Sequence, residues 1–330
     1  MASPVIEAQK LDFPWPCLDP FLFCAYHNDQ FPAGRADLGP AVSLEGRELG
    51  QDFAFKDGWN MYHGRVVPGF PQHPHRGFET ITIVRQGLVD HFDSLGGAAR
   101  YGEGDTQWLT TGAGISHSEM FPLLKRDQGN PADLFQIWLN LPAAKKMAPP
   151  AFSMLWDKQQ PRIAGNKSEL KLVAGGLAGK AAAAPPKDSY ASQAGSDILI
   201  AVLTARAGGS FKLPAGPEGV NRCLYLYKGA WTVDGEEYGA GQRLQVRPDA
   251  ALELASAGGG ELLILQGRPM DEPVVSYGPF VMNDRQQLMQ AFEDYQRTHF
   301  GGWPWESDDP AHPAEQGRFA RFPDGREERP

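Results

Sequence analysis

Histidine is unevenly distributed along this sequence, and four of the eight histidines fall between residues 73 and 117. His73 and His75 are two residues apart, and His117 is followed two residues later by Glu119. Side chains two residues apart in a β-strand project to the same face. If the two segments form facing strands of a barrel, the four side chains converge on one point. The spacing therefore predicts a metal site built from His73, His75, His117 and Glu119.

The donor set limits which metals suit this site. Three neutral imidazoles and one carboxylate favour one divalent transition metal such as Fe(II), Mn(II), Co(II), Ni(II), Cu(II) or Zn(II). Four protein ligands around an octahedral metal leave two positions open, and a single carboxylate leaves the centre positive, which favours a bidentate anion. The alternative is that His73 and His75 are loop residues beside Pro74 and that His117 is a core histidine. Two same-face pairs in strand-like sequence favour the metal.

Short β runs separated by glycines must position these side chains. Between Phe53 and Leu141 they are FETITIV (Phe78–Val84), LVDHFDS (Leu88–Ser94), TQWLTT (Thr106–Thr111) and LFQIWLNL (Leu134–Leu141). This rhythm predicts an antiparallel barrel or sandwich. A second series of similar rhythm comprises ILIAVLT (Ile198–Thr204), CLYLYKG (Cys223–Gly229), AWTVDG (Ala230–Gly235), RLQVR (Arg243–Arg247), ALEL (Ala251–Leu254) and ELLILQG (Glu261–Gly267). The second series contains no histidine, so we expect it to bind no metal and to support the first barrel.

These patterns divide the chain into four parts. We expect an N-terminal metal-binding domain with an N-terminal extension over residues 1–142 and a metal-free β domain over residues 196–283. Between them, residues 143–195 read as a connector with a loop inserted around LKLVAGG (Leu170–Gly176). Residues 284–330 read as a helix followed by an extended tail.

One segment near the C-terminus has the pattern of a helix. Asn283 can cap its N-terminus with Gln286 at the third helical position, and Gly301-Gly302 can end it. The residues expected on one face are Leu288, Phe292, Tyr295 and His299. The tail that follows is polar and rich in proline, and we expect it to wrap the surface.

Composition excludes several classes of function. The net charge of −9 opposes direct binding to nucleic acid or to an anionic membrane. Three cysteines, Cys17, Cys24 and Cys223, are too few for a disulfide framework and are expected as packed thiols. No apolar run reaches membrane-spanning length and the first residues lack a signal peptide's apolar core, so we expect a soluble, cytoplasmic protein.

Several ordered segments resemble the pirin family, whose members are bicupins of the cupin superfamily. They are HPHRGFET (His73–Thr80), HFDSLG (His91–Gly96), GDTQWLTTGAGISHSEM (Gly104–Met120) and YGPFVMN (Tyr277–Asn283). The resemblance implies an all-β bicupin, with two antiparallel jelly-roll barrels and a short C-terminal helix. It also implies one iron, most favourably Fe(II), bound in the first barrel at the positions of His73, His75, His117 and Glu119.

A second glutamate competes for the ligand position. Typical cupins use the glutamate that follows the paired histidines, here Glu79, and Glu79 shares their strand parity only if no bulge intervenes. The resemblance favours Glu119, with Glu79 lining the barrel. This chain departs from compact pirins in the long stretch Asp29–Val67 and in the tail after Phe300, and either segment can narrow the barrel mouth.

The resemblance implies an enzyme similar to quercetin 2,3-dioxygenases, which open a flavonol ring with dioxygen and release carbon monoxide. Its partners would be a small aromatic substrate and dioxygen, and Glu119 is the nearest group to act as a catalytic base. The alternative is an iron-dependent regulatory protein that acts through a protein partner, either as a transcription cofactor or as a modulator of a metabolic enzyme. A third possibility is a metal-stabilised bicupin whose activity on flavonols is incidental.

Other candidate residues are less specific. His91 can be a hydrogen-bonded partner of the site, although a core position is the more common role for such a histidine. His27 and His63 come from loop-like sequence rich in aromatic residues, and either can approach the barrel mouth. Trp108 and Phe78 can line an aromatic pocket, but such residues in strands are usually core.

Overall fold

Strands dominate the computed structural model, which describes residues 3–330. In chain order they are β1 (Val5–Lys10), β2 (Trp15–Pro16), β3 (Phe21–Asp29), β4 (Gly69–His75), β5 (Phe78–Gln86), β6 (Leu88–Asp93), β7 (Ala98–Gly102), β8 (Thr106–Thr110), β9 (Ile115–Met120), β10 (Ala132–Asn140), β11 (Ala151–Leu155), β12 (Arg162–Ala174), β13 (Gly176–Leu177), β14 (Lys180–Ala181), β15 (Leu199–Leu213), β16 (Asn221–Lys228), β17 (Trp231–Val233), β18 (Glu236–Tyr238), β19 (Gln242–Val246), β20 (Leu252–Ser256), β21 (Gly260–Gly267), β22 (Val275–Tyr277), β23 (Phe280–Met282), β24 (Phe319–Arg321) and β25 (Glu327–Glu328). Within the described residues the one α-helix is α1 (Arg285–Thr298), and 3₁₀ turns lie at Lys56–Gly58, Ala143–Lys145, Asp157–Gln159 and Tyr190–Ser192.

The described chain forms two compact units, each assembled from separate stretches of sequence. The histidine-bearing unit comprises Tyr26–Gln136, Leu141–Asp157 and Glu272–Pro330. The second unit comprises the described residues up to Ala25, together with Ile137–Asn140 and Lys158–Asp271. The expected all-β architecture with two β units and one short helix is confirmed.

Antiparallel sheets build the histidine-bearing unit. One runs β25-β24-β7-β6-β9-β4, and the other runs β11-β8-β5-β10-β3-β2, of which β2 and the ends of β3 and β10 are assigned to the second unit. Alternation along β5 shows how the interior is filled, because Val84 belongs to the barrel core and Thr82 lies on the same face. Ile81 and Ile83 on the opposite face are also buried, so β5 is covered on both sides.

The second unit is organised around a nine-stranded antiparallel sheet in the order β1-β19-β16-β21-β15-β20-β17-β18, with β12 paired to β15. Its interior is filled largely by leucine, and Leu224, Leu226, Leu244 and Leu262 have no exposed surface. These aliphatic side chains occupy the inward positions of strands β16, β19 and β21, where alternation places every second residue in the core.

The two units cross the domain boundaries expected from sequence. Residues 5–10, expected as an extension of the first domain, form β1 and pair with β19 of the second unit. Residues 162–174, expected in a connector, form β12, which places Leu170 opposite Leu203 of β15. Both segments supply hydrogen bonds to sheet edges that would otherwise present unpaired backbone groups. Residues 272–330 belong to the histidine-bearing unit, so the expected end of the second domain at 283 lies inside that unit.

Helix α1 begins one residue later than the sequence indicates. Its N-cap is Asp284, whose carboxylate accepts a 2.8 Å hydrogen bond from the backbone N–H of Gln287. The predicted cap, Asn283, instead donates to the carbonyl of Pro273. The predicted apolar face packs against β23, with Phe292 at 4.7 Å from Phe280 between ring centroids.

The tail after α1 is anchored by a buried ion pair on the first sheet. Arg100 of β7 is fully buried and binds Asp90 of β6 through two hydrogen bonds of 2.6 and 2.7 Å. The same guanidinium donates to the backbone carbonyls of His312, Pro313 and Gln316. Strand β24 then pairs with β7. The tail, which we expected to wrap the surface, thus adds strand β24 to this sheet and is held there by Arg100.

The three cysteines occupy the positions expected of packing residues. Cys17, Cys24 and Cys223 are free thiols, and Cys24 and Cys223 are buried. Within residues 3–330, no helix combines the length and the apolar character needed to cross a lipid bilayer.

Candidate metal centre

Two neighbouring strands carry the histidines, whereas the sequence predicts facing strands. β4 and β9 pair antiparallel, with His73 opposite His117 and Phe70 opposite Glu119. The register shifts between these pairs, because β4 carries one more residue than β9 there, which is a β-bulge. The bulge keeps Phe70 on the same face as His73, so the ligand pairs lie side by side in one sheet.

The three histidines converge as the spacing predicts. One ring nitrogen from each of His73, His75 and His117 lies within 4.8 Å of the others. Their ring centroids are 4.5 Å apart for His73 and His117, 4.8 Å for His73 and His75, and 5.0 Å for His75 and His117. A cluster this tight matches the separation of ligands around a single metal ion.

The hydrogen bonding of the cluster fits a metal. His73 donates from Nδ1 to the carbonyl of Pro71 at 2.8 Å, which leaves the Nε2 lone pair for coordination. Neither ring nitrogen of the fully buried His117 has a hydrogen-bond partner among the described residues. Burial lowers the pKa of His73 to about 4 and that of His117 well below its usual value, so both rings are neutral. A neutral buried imidazole whose lone pair accepts no hydrogen bond is ready to bind a cation.

Glu119 lies next to this cluster. Its Oε2 is 3.9 Å from Nε2 of His117. Thr82 of β5 donates to its Oε1 at 3.2 Å, and Gln136 of β10 donates to its Oε2 at 2.9 Å. Burial raises the pKa of Glu119, while the nearby His91 acts in the opposite direction. Two donors from the opposite sheet therefore hold the carboxylate beside the histidines.

The structure places the carboxylate of Glu79 away from the histidine cluster. Its Oε1 accepts hydrogen bonds from Nε1 of Trp108 at 2.9 Å and from the hydroxyl of Thr110 at 2.7 Å. These residues lie on the face of β5 opposite to Thr82, which contacts Glu119. The turn at Gly77, between β4 and β5, shifts the strand parity by one residue. Trp108 accordingly contacts Glu79 on that outer face.

Gly77 is required at that turn. Its φ of +88° is a left-handed conformation that favours glycine, and a Cβ atom there would lie 2.0 Å from the carbonyl oxygen of Val281. The chain can therefore reverse its parity only with a glycine at this position, and the reversal separates Glu79 from the histidine pair.

A fourth histidine and an aspartate adjoin the cluster from β6. His91 is paired in register with Glu119, and Asp93 with His117. Both are buried, and Nε2 of His91 lies 3.2 Å from Oδ2 of Asp93. The ring of His91 is 5.5 Å from that of His117. Of the two roles left open by the sequence, this geometry favours a hydrogen-bonded core histidine, one that packs against the ring of His117.

Four residues at the site escaped sequence reasoning: Thr82, Gln136, Asp93 and Pro279. The alternation of FETITIV carries the signal for Thr82, because Phe78 on the same face contacts His75 at 5.1 Å between ring centroids. Asp93 has the same spacing from His91 as Glu119 has from His117. Gln136 and Pro279 come from distant parts of the sequence and carry no comparable signal.

The YGPFVMN segment belongs to the site through the backbone. The carbonyl of Pro279 hydrogen-bonds to His75, and it partly offsets the lowering of the pKa of His75 by burial. The N–H of Val281 donates to the carbonyl of Arg76 at 3.0 Å. Strand β23 is thereby attached to the end of β4 that carries His75, which explains the resemblance in a segment two hundred residues away.

The stretch Asp29–Val67 surrounds the start of β4 with aromatic residues. His27 is buried, and its Nδ1 is 2.8 Å from the hydroxyl of Tyr62, which donates to Asp29 at 2.6 Å. His63 is exposed and contacts Phe70 edge-on, with ring centroids 5.9 Å apart. Of these two histidines, His63 is the one that reaches the surface beside β4.

Comparison with known proteins identifies the family of this chain. The family model described as pirin matches residues 38–139, and the one described as the pirin C-terminal cupin domain matches residues 200–301. A Pseudomonas aeruginosa protein named "Putative quercetin 2,3-dioxygenase" is 37% identical over 70% of this chain and 79% of its own length. A "Pirin-like protein" of Caulobacter vibrioides is 35% identical over 70% of this chain and 80% of its own.

Solved structures show the same fold. The crystal structure titled quercetin 2,3-dioxygenase from Acinetobacter baumannii has a TM-score of 0.72 and 26% identity, and it covers 90% of this chain and 98% of its own. The first matched range includes His73, His75, His117 and Glu119. Of the second matched range, residues 200–271 fall in the second unit and residues 272–301 in the histidine-bearing unit. This chain is a member of the pirin family, a bicupin with its candidate metal ligands in the first cupin domain.

Proposed function

We propose that this protein is an iron-dependent dioxygenase that acts on a flavonol such as quercetin, or on a related phenolic or enediol. The observation that carries the proposal is the buried cluster of three neutral histidines with Glu119 beside it, in a barrel of the pirin family. The names of the relatives support the substrate class, and the donor set of nitrogen and oxygen supports a metal such as iron.

His73, His75, His117 and Glu119 would hold the metal. When bound, the metal would make a coordinated hydroxyl group more acidic and would bring the substrate and dioxygen together. Pro71 keeps His73 in the tautomer that offers Nε2. His117 has no exposed surface, so its ring is shielded from water.

Glu119 is placed to move a proton. Its Oε1 accepts from the Thr82 hydroxyl and its Oε2 from the Gln136 amide, and these two bonds would hold the carboxylate in place beside a bound metal. Glu119 is the carboxylate beside the histidine cluster, so it is the group placed to act as a base. We propose that one of these carboxylate oxygens receives the proton of the flavonol hydroxyl that lies between the carbonyl and the pendant ring.

The test is aerobic turnover of quercetin by iron-loaded protein, followed by oxygen uptake and carbon monoxide release. We expect His73→Ala and Glu119→Ala to abolish turnover, and activity that persists unchanged in either variant would falsify the assignment. Metal content of the protein purified without chelator identifies the metal. Glu79→Gln is the matched carboxylate control, and it is expected to retain metal where Glu119→Gln loses it.

The regulatory alternative stays a prediction that rests on family resemblance. It requires a protein partner whose binding changes with the oxidation state of the metal. A pull-down that gives the same partners with Fe(II)- and Fe(III)-loaded protein would argue against it.

A further inference from the structure

A run of aromatic rings leads from the surface of the histidine-bearing unit to the candidate metal centre. Phe53, with 49% of its surface exposed, meets His63 edge-on at 5.0 Å between ring centroids. His63 meets Phe70 at 5.9 Å, and Phe70 meets His73 at 6.3 Å. A single ring therefore separates an exposed histidine from a candidate metal ligand.

The backbone holds His63 in place. Its N–H donates to the carbonyl of Gly69 at 3.1 Å, at the first residue of the strand that carries His73. The preceding residue, Tyr62, exchanges two backbone hydrogen bonds of 2.9 and 3.0 Å with Asp52. The position of His63 relative to β4 is thus fixed by a small ladder of hydrogen bonds.

The tautomer of His63 is fixed as well. Its Nδ1 lies 2.7 Å from the carbonyl oxygen of Gly50, so Nδ1 must carry the proton and donate. In the neutral ring Nε2 is then a hydrogen-bond acceptor. The other polar group on the run is the hydroxyl of Tyr62, which is already engaged by Asp29 and His27.

The surrounding surface is suited to an aromatic ligand. Five large apolar side chains of the stretch Asp29–Val67 are exposed: Val42, Leu49, Phe53, Phe55 and Val66, at 38–52% of their surfaces. Among them, Phe53 contacts the ring of His63, so exposed apolar surface lies directly beside that imidazole. An apolar ring next to one fixed acceptor suits the far ring of a phenolic molecule.

We infer that His63 selects the substrate by accepting, at Nε2, a hydrogen bond from a phenolic hydroxyl on the ring remote from the metal, while Phe53 and Phe70 contact that ring. The inference rests on the proposed function, because it supposes a flavonol whose oxygens at one end are bound at the metal centre. It adds a specificity residue that lies outside the metal site, on the stretch Asp29–Val67.

Two substitutions test the roles of the two ring nitrogens of His63 separately. His63→Asn keeps a donor near the position of Nδ1, and therefore the bond to Gly50, but removes the distal acceptor. His63→Gln places an amide oxygen near the position of Nε2. His299→Asn is the matched control, since His299 is an exposed histidine at the end of α1, with a φ of +47° that asparagine tolerates.

The experiment measures equilibrium binding of quercetin, and of its analogue lacking both pendant-ring hydroxyls, to iron-loaded protein under anaerobic conditions. We expect the wild-type protein and His299→Asn to prefer quercetin by about three- to tenfold, the size of one neutral hydrogen bond. His63→Asn should bind both flavonols equally, with unchanged affinity for the analogue, and His63→Gln should keep the preference. Thermal unfolding of His63→Asn checks that the fold is retained.

The outcomes separate this inference from the proposed function. A preference for quercetin that is equal in wild type and His63→Asn, or is missing in wild type, overturns the role of His63, even when aerobic turnover occurs. The expected preference without oxygen consumption refutes the dioxygenase and leaves the role of His63 standing. If wild-type protein binds neither flavonol, both fall.

Discussion

Gln136 offers a direct test of how the barrel supports its candidate metal ligand. Its Nε2 donates to Oε2 of Glu119 at 2.9 Å, from the sheet opposite to the one that carries Glu119. Gln136→Leu keeps the approximate volume and removes this donor. A hydrogen bond to a charged group contributes about 1.5–3 kcal/mol, so we expect the metal dissociation constant to rise about 10- to 100-fold. Competition with a chelator of known affinity measures that constant.

The control is Gln107, a buried glutamine of the same unit. Gln107→Leu removes a side chain whose hydrogen bond to Tyr101 is 3.4 Å long and does not involve Glu119. We expect it to leave the metal affinity within about threefold of wild type. The reasoning is refuted if Gln136→Leu binds the metal as tightly as wild type, or if both variants lose affinity equally. Urea unfolding of the metal-free variants separates a lost ligand position from a lost fold.

Three further predictions concern stability. Arg100→Met should cost about 3–5 kcal/mol in urea unfolding and make the tail after α1 sensitive to protease, because Asp90 keeps a buried charge without its partner. Burial lowers the pKa of Lys146 to about 8. The unfolded state therefore binds more protons between about pH 8 and 10.5, and the free energy of unfolding rises with pH over that range by about 3 kcal/mol. Lys146→Met should abolish that rise. Burial raises the pKa of Asp29 to about 6, so the free energy of unfolding falls as pH rises from 4 to 6. Tyr62 donates a hydrogen bond to the Asp29 carboxylate, so Tyr62→Phe should deepen this loss by about 1–3 kcal/mol at pH 8, with little effect at pH 4.

Local spacing was enough to find the histidine cluster. The two-residue period of a strand applies wherever the chain is extended, so His73 with His75 and His117 with Glu119 could be paired without knowing the fold. The same period could not decide between Glu119 and Glu79. The position of Glu79, away from the histidines, depends on Gly77, where the left-handed turn shifts the parity of β5. A glycine in the sequence permits such a turn but does not require one.

The sequence did not predict which strands pair, for the same reason. The run LKLVAGG reads as part of a connector, because its length as β12 depends on β15, which offers a long partner strand. The extension at β1 gains its strand only from the edge of β19. Both are tertiary effects, since a segment of ordinary propensity becomes a strand when an unpaired edge needs its hydrogen bonds.

The hardest part of the site to foresee is what the distant C-terminal segment contributes. Trp305 donates to the carbonyl of Asp93 at 2.9 Å, and the carbonyl of Asp308 accepts from the N–H of Gln72 at 2.6 Å, inside the bulge of β4. The bulge sets the register of His73 against His117, so the tail helps to hold the spacing of the ligands although it contributes none of them. That spacing therefore depends on residues more than 200 positions away, whose types carry no metal-binding signal. Only the folded chain makes the connection visible.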